Sequence, residues 1–226
     1  VFLSCLLVAA SAPAQSSLTI PEKLDLGVVK VAHATAGEIT LRNPTDDDLE
    51  IELSLTGESF TTAVDTLYLP AGSERRIEIA FKGSVEGVRE GRLRLTVKKL
   101  FTSEQYDVAL RAEVVKPLVT LSPAPQQGLD FGSVTAGETV SRTIRLENST
   151  AVPLTLDSLY LADDGTGFRL SKRPGAVVRP TETVELVVEF ALRKAGTYRT
   201  TLMLLSADNT PSKMEWALLA KGQAPV

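Results

Sequence analysis

The string Leu24-Asp25-Leu26-Gly27-Val28-Val29 returns 105 positions later as Leu129-Asp130-Phe131-Gly132-Ser133-Val134. The offset persists: Leu41 and Asn43 meet Leu146 and Asn148, and Leu49 and Ile51 meet Leu154 and Leu156. After a small insertion in the second half, RRIEIAF (75–81) matches VELVVEF (184–190). EGRLRLTV (90–97) then resembles AGTYRTTL (195–202), and ALRA (109–112) matches ALLA (217–220). A repeat of about 100 residues is too long for a solenoid unit and long enough to close a core of its own. Two tandem domains are expected, over 18–115 and 117–222. Lys116-Pro117 is a short linker between them, which favours a limited range of angles.

Each copy reads as β throughout. Ile77, Ile79 and Phe81 alternate with Arg76, Glu78 and Ala80, and Leu93, Leu95 and Val97 with Arg92, Arg94 and Thr96. In the second copy one face is held by Val184, Leu186, Val188 and Phe190. Tyr198, Leu202 and Leu204 hold another, as do Met214, Trp216 and Leu218. A period of two sends one set inward and the other to solvent. Turn signals separate the runs: Asn43-Pro44, Pro70-Ala71-Gly72, Gly87, Gly91, Asp163-Asp164-Gly165, Arg179-Pro180 and Ala195-Gly196. No stretch carries a 3.6-residue apolar period. The fold class is all-β, two tandem immunoglobulin-like antiparallel β-sandwiches. In the repeated string, Leu129, Phe131 and Val134 face the core, and Gly132 relieves crowding or permits a bulge. Ala136-Gly137-Glu138 turns the chain into the next strand. Ala36-Gly37-Glu38 is read as the same turn, slipped by a few residues.

These residues carry a family resemblance. LDFGSVTAGETVSRTIRLENSTAVPLTL resembles the immunoglobulin-like ASH domains (named for ASPM, SPD-2 and hydin), which are related to major sperm protein. The family pattern is apolar-Asp-Phe-Gly-x-Val, a Gly-Glu turn, a strand ending in Asn, then Pro-Leu. Leu129 to Val134, Gly137-Glu138, Asn148 and Pro153-Leu154 fit it. The first copy fits more loosely, with Leu26 in place of Phe and Asp48-Leu49 in place of Pro-Leu. Similar modules occur in bacterial secreted and envelope proteins, and a related type carries a Cys-Gly-Cys motif that this chain lacks. The resemblance implies a non-catalytic binding or scaffolding module, with no cofactor.

Composition narrows the chemistry. The net charge is −4 and there is no basic run, so nothing attracts nucleic acid or an anionic membrane. The single histidine, His33, is expected at a solvent-facing turn. It is too few for a Ser-His-Asp site or a zinc site, and no G-x-S-x-G elbow or Gly-rich phosphate loop is present. Asp46-Asp47-Asp48 is the one dense carboxylate cluster. It reads as a solvated turn more readily than as a calcium loop. No catalytic, metal or cofactor residue is assigned, and no partner-binding residue is singled out. Asn148-Ser149-Thr150 matches the glycosylation sequon, a three-residue match of little weight. Arg76, Glu78, Arg92, Arg94, Arg111 and Glu113 read as mixed charge on solvated sheet faces.

Val1 to Ala10 is apolar or small, and Ala12-Pro13-Ala14 is an A-x-A pattern. Residues 1–14 are read as a secretory signal peptide, truncated at its start and cleaved after Ala14. Cys5, the only cysteine, lies inside it, so the remaining chain has no disulfide. No later run is long and apolar enough to span a bilayer, and no stable membrane insertion is expected after cleavage. The leading expectation is a secreted or periplasmic protein-binding module, acting through surface or edge-strand complementarity on an envelope, surface or pilus component. The alternative is a periplasmic pilus-assembly chaperone that lends the strand Tyr106-Val108-Leu110-Ala112-Val114 to an incomplete pilin.

Overall fold

The computed structural model describes residues 16–163, 166–208 and 212–223. Residues 1–14, with Cys5 and the expected cleavage site, lie outside them, as do Asp164 and Gly165 of one expected turn. The chain divides into two compact units. One gathers residues 16–27 with Ala34–Lys82 and Val88–Ala112. The other gathers Glu113 onward with Val28–His33 and Gly83–Gly87.

The first sandwich is built from β1 (Lys23–Lys30), β2 (Ala34–Arg42), β3 (Leu49–Thr56), β4 (Phe60–Thr61), β5 (Thr66–Leu69), β6 (Glu74–Lys82), β7 (Gly87–Lys98) and β8 (Ser103–Val115). One sheet has the order β1-β8-β7-β3-β5, the other β2-β6-β4. The alternation in the sequence is realised: Ile77, Ile79, Phe81, Leu93, Leu95 and Val97 are all buried, and Arg76 and Glu78 between them are exposed. Opposite them lie Ile39 and Leu41 of β2, with Ile39 paired to Ile77.

The second sandwich comprises β9 (Val119–Ser122), β10 (Leu129–Thr135), β11 (Thr139–Asn148), β12 (Leu154–Thr155), β13 (Ser158–Leu161), β14 (Phe168–Lys172), β15 (Val177–Val178), β16 (Thr183–Ala191), β17 (Gly196–Leu205) and β18 (Lys213–Gln223). Its main sheets run β10-β18-β17-β13 and β14-β16-β11-β9. Phe131, Phe168, Phe190 and Tyr198 form a chain of rings, with neighbouring centroids 5.2, 4.6 and 5.2 Å apart. Trp216 is fully buried beside this chain, and its indole N–H donates to the Pro123 carbonyl at 3.0 Å.

The repeated Asp-x-Gly builds the same bulge twice. Gly27 and Gly132 take φ of +68° and +71°, and the β10–β18 register shifts between Asp130 and Ser133. The backbone N–H of each glycine is held by the aspartate two residues earlier, at 2.9 Å from Asp25 and 2.8 Å from Asp130. A side chain at a positive φ is strained, which explains the glycine, and the loop N–H needs an acceptor, which explains the aspartate. Pairings within the second sandwich are antiparallel except that of β10 with β18, which is parallel. The cause is a change of sheet: β9 pairs with β11, the chain crosses at Pro123–Gly128, and β10 then runs beside β18.

One turn was misplaced by sequence reasoning. Ala136-Gly137-Glu138 does turn, with Gly137 at φ +91° and Glu138 N–H bonded to the Thr135 carbonyl. Ala36-Gly37-Glu38 instead lies inside β2, and the turn falls at Val31–His33 with Ala32 at φ +61°. Gly37 serves packing: a Cβ there would come within 2.6 Å of the Leu26 side chain.

Asn43 and Asn148 close the two sandwiches in the same way. Both are fully buried. The Asn43 amide donates to the carbonyls of Asp47, Leu69 and Pro70 at 2.7, 3.2 and 3.0 Å, and its oxygen accepts from the Thr45 N–H and hydroxyl. The Asn148 amide donates to Val152, Val178 and Arg179 at 2.8, 3.1 and 3.1 Å, and its oxygen accepts from the Thr150 N–H and hydroxyl. The sequon match is therefore a structural hub, with its side chain fully occupied. Removing it takes a donor from the buried Val178 carbonyl and the acceptor from the Thr150 N–H and hydroxyl, while the Arg179 and Val152 carbonyls keep the Glu182 N–H and the Thr150 hydroxyl. A lost buried partner is worth roughly 1–3 kcal/mol. Asn148→Ala is expected to destabilise the second sandwich by about 3 kcal/mol. Urea unfolding followed at Trp216, the only tryptophan, measures this directly, and an unchanged midpoint would refute the hub.

Candidate binding surfaces

Expected chemistry-bearing residues do not converge. His33 is exposed at its turn, as the sequence suggests, with its ring nitrogen 3.4 Å from the Val31 carbonyl. Among the described residues no group of three or more His, Cys, Asp or Glu is placed to hold a metal. Asp48 of the acidic turn is spent locally: it accepts from the Ala71 N–H at 2.9 Å and from the Tyr68 hydroxyl, which hold its carboxyl below the usual range.

The charged strand faces form two surfaces, not one. Arg76 and Glu78 lie on the β2-β6-β4 sheet, where Arg76 pairs with Glu38 at 3.7 Å. Arg92, Arg94, Arg111 and Glu113 lie on the five-stranded sheet. There Asp107 takes Arg94 at 2.8 Å and Arg92 at 3.4 Å, so its carboxyl is held down, chiefly by the Arg94 hydrogen bond. Arg111 reaches Asp25 at 3.3 Å. Asp25 is also held down, first by the Gly27 N–H. These pairs are exposed and screened by solvent, so they add little to stability. They keep the sheet face wet and give it little preference for one ligand.

Val108, Leu110 and Ala112 are buried in the first unit, Val114 is buried as well, and β8 lies between β1 and β7. A strand with a neighbour on each side and its apolar residues filling its own core has nothing to lend. The chaperone alternative therefore loses its donor strand.

A surface that sequence reasoning left unnamed lies in the second sandwich. Because β10 begins only at Leu129, opposite Leu218, the start of β18 is flanked by β9 and the crossing segment. The result is a groove of about 670 Å³ whose apolar lining is Leu118, Leu121, Ala124, Pro125 and Met214, with Thr120, Gln126, Lys213 and Glu215 as its polar lining. β9 is the outer strand of its sheet, and Leu118 is more than half exposed. The signal was Leu118 and Leu121 just ahead of Pro123 and Pro125, indistinguishable in sequence from core residues.

Comparison with known families is consistent with this geometry. Residues 16–113 match the HYDIN/CFA65/VesB-like Ig-like domain, and residues 117–214 match the ASH domain (Abnormal spindle-like microcephaly-assoc'd, ASPM-SPD-2-Hydin). The chain is a tandem of two Ig-like domains, the first of the HYDIN/CFA65/VesB-like type and the second an ASH domain. Both families are structural domains rather than enzymes. A curated relative, the cilia- and flagella-associated protein 65 of Chlamydomonas reinhardtii, is 37% identical over 81 residues, which span 36% of the tandem and 4% of that protein. Among solved structures, a protein of unknown function from Porphyromonas gingivalis aligns over 91% of the tandem and all of its own chain, at 14% identity and TM-score 0.42. The ASH/PapD-like domain 7 of human CEP192 aligns over 51% of the tandem and 96% of its chain, at 12% identity and TM-score 0.43. The E. coli chaperone DraB aligns over 89% and 95%, at 12% identity and TM-score 0.36. No helix of the tandem's described residues is long and apolar enough to cross a membrane.

One polar clasp sets a pH dependence. Glu104 pairs with Lys99 across the β7–β8 hairpin and accepts from the Tyr106 hydroxyl at 2.6 Å. The Lys99 hydrogen bond, followed by that of Tyr106, holds its carboxyl down to about 2, against partial burial. A depressed carboxyl stabilises the folded state fully above its ordinary value of 4.5, and that contribution is lost as pH falls toward 2. Both side chains are more than a third exposed, so the contribution is at most about 1 kcal/mol. Glu104→Gln is expected to flatten this part of the acid limb in a stability-versus-pH titration, leaving stability at pH 5–7 lower by a similar amount.

Proposed function

We propose that the tandem is a non-catalytic protein-binding module, and that the groove beside β9 takes an extended segment of a partner. The observation that carries this reading is an outer strand next to a groove of about 670 Å³ with an apolar floor and a polar edge of Thr120, Gln126, Lys213 and Glu215. An incoming strand pairs its backbone with a sheet edge and sends alternate side chains into such a groove. The families matched are Ig-like domains of the kind that act by surface complementarity, and the described residues bring no catalytic constellation together. The partner class is protein, not nucleic acid or membrane.

The test is crosslinking and mass spectrometry of a tagged chain expressed in its native host. Leu118→Asp puts a charge at the groove mouth on an exposed residue, so the fold is retained. Loss of the captured proteins in this variant is expected, while Arg76→Ala on the opposite sandwich leaves them in place. Capture unchanged by Leu118→Asp would overturn the groove as the site.

The reading extends to export into an envelope or extracellular space. The apolar run Val1 to Ala10 and the Ala12-Pro13-Ala14 pattern support it. Mass spectrometry of the chain recovered from cells is expected to find Gln15 as its first residue. Recovery with residues 1–14 still attached would overturn export by this route.

A further inference from the structure

The β7–β8 hairpin ends in a four-residue loop, Lys99-Leu100-Phe101-Thr102. Leu100 is 94% exposed and Phe101 is 96% exposed. Nothing in folding requires this. Short hairpin loops favour Gly, Asn, Asp and Ser, which supply turn geometry and hydrate well. The last hairpin of the second sandwich supplies an internal control. Its connection between β17 and β18 reads Ser206-Ala207-Asp208-Asn209-Thr210-Pro211-Ser212, turn residues without a large apolar side chain.

The exposed pair is held in place. The Lys99 N–H donates to the Thr102 carbonyl at 2.9 Å and closes the loop. Lys99 and Glu104 pair across its base, and Tyr106 braces Glu104 while accepting from the Ser16 hydroxyl at 3.1 Å. A clasp at the base with two unburied apolar side chains at the tip is the form of an interaction anchor. Large apolar side chains enter a partner's pocket at little entropic cost when the loop is already ordered.

The surroundings indicate what the partner carries. Lys98 lies opposite Glu50, and Glu50 lies opposite Tyr68, itself 58% exposed and bonded to Asp48. On this sheet and the loop leading into it, the tip is accompanied by Asp46, Asp47, Asp48, Glu50, Glu52 and Glu104. The cations at the tip end of this sheet are Lys98, paired to Glu52, and Lys99, paired to Glu104. Arg92 and Arg94 lie further down β7, opposite Thr56 and Ser54, and pair with Asp107, and Arg111 pairs with Asp25. Arg42 at the end of β2 is on the other sheet, where it pairs with Glu74. The tip is thus an apolar peg above an acidic collar.

We propose that Leu100 and Phe101 form a docking peg for a protein partner that presents an apolar pocket rimmed by Lys or Arg. The acidic collar steers such a partner and repels anionic phospholipid, so an inserted membrane anchor is the disfavoured occupant. This surface is on the first sandwich and is independent of the groove beside β9.

The experiment pans a random-peptide phage library on the whole chain, with counter-selection on a Leu100→Ser/Phe101→Ser variant. Both residues are solvent-exposed, so the variant is expected to keep the wild-type melting temperature. Enriched peptides are expected to combine aromatic or leucine residues with Lys or Arg. By fluorescence anisotropy they should bind the variant at least tenfold more weakly and lose affinity severalfold as salt rises. Leu118→Asp should leave their affinity unchanged. Peptides that bind variant and wild type equally, or whose binding ignores salt, would overturn the proposal. So would cosedimentation with phosphatidylcholine/phosphatidylserine vesicles that is abolished by Phe101→Ser, which would make the peg a lipid anchor. Concentration-dependent self-association lost in the same variant would also overturn it, by assigning the peg to a second copy.

Discussion

Two buried asparagine side chains hold the ends of these sandwiches shut. Immunoglobulin-like sheets converge where loops cross from one layer to the other, and there the backbone carbonyls have no strand partner. In each copy one amide gathers three such carbonyls, at 2.7–3.2 Å for Asn43 and 2.8–3.1 Å for Asn148. An amide supplies two N–H donors and an acceptor in one plane, which no apolar residue replaces and which aspartate, an acceptor alone, cannot imitate. The same position fixes where the second strand stops, how the next loop leaves, and how the strand that follows enters the core at Leu49 or Leu154.

Much of this was legible in the sequence. The period-two runs at Ile77–Phe81, Leu93–Val97 and Met214–Leu218 face inward as read, because burial of alternate residues on a pleat is a local rule. Gly132 does sit at a bulge, and the offset of 105 residues maps like onto like at Asp25 and Asp130. What stayed hidden depends on neighbours distant in sequence. Ala36-Gly37-Glu38 has the composition of a turn, yet Gly37 is present because Leu26 needs the space. The parallel pairing of β10 with β18 follows from a change of sheet at Pro123–Gly128, which no residue pattern announces. The sequon match at Asn148 carried little weight, and three residues could not reveal that the side chain is fully buried.

The binding surfaces were the least legible part, for a physical reason. Core leucines and groove leucines obey the same spacing, and only the late start of β10 separates Leu118 and Leu121 from the core positions around them. The charged residues gave the opposite impression. Arg76 and Arg94 read as part of a mixed-charge, solvated set, and the sandwich places them on different sheets, each answered by a nearby carboxylate. The internal repeat is the better guide. Where the two copies agree, at Asp-x-Gly and at Asn-x-Thr, the residues build the frame. Where they differ, at Lys99–Thr102 against Ser206–Ser212, the frame tolerates loops of different length and polarity.

The buried hub of the second sandwich sets folding against modification. Asn148-Ser149-Thr150 meets the requirement for N-linked transfer, whereas Asn43-Pro44-Thr45 does not, because its middle residue is proline. The first copy thus keeps its clasp and is exempt from the reaction. In the second, a sugar on the amide would occupy the space where the carbonyls of Val152, Val178 and Arg179 converge, and the sheets could not close over it. In a compartment that contains the transferase, the yield of native protein becomes a race between closure of this sandwich and capture of its asparagine.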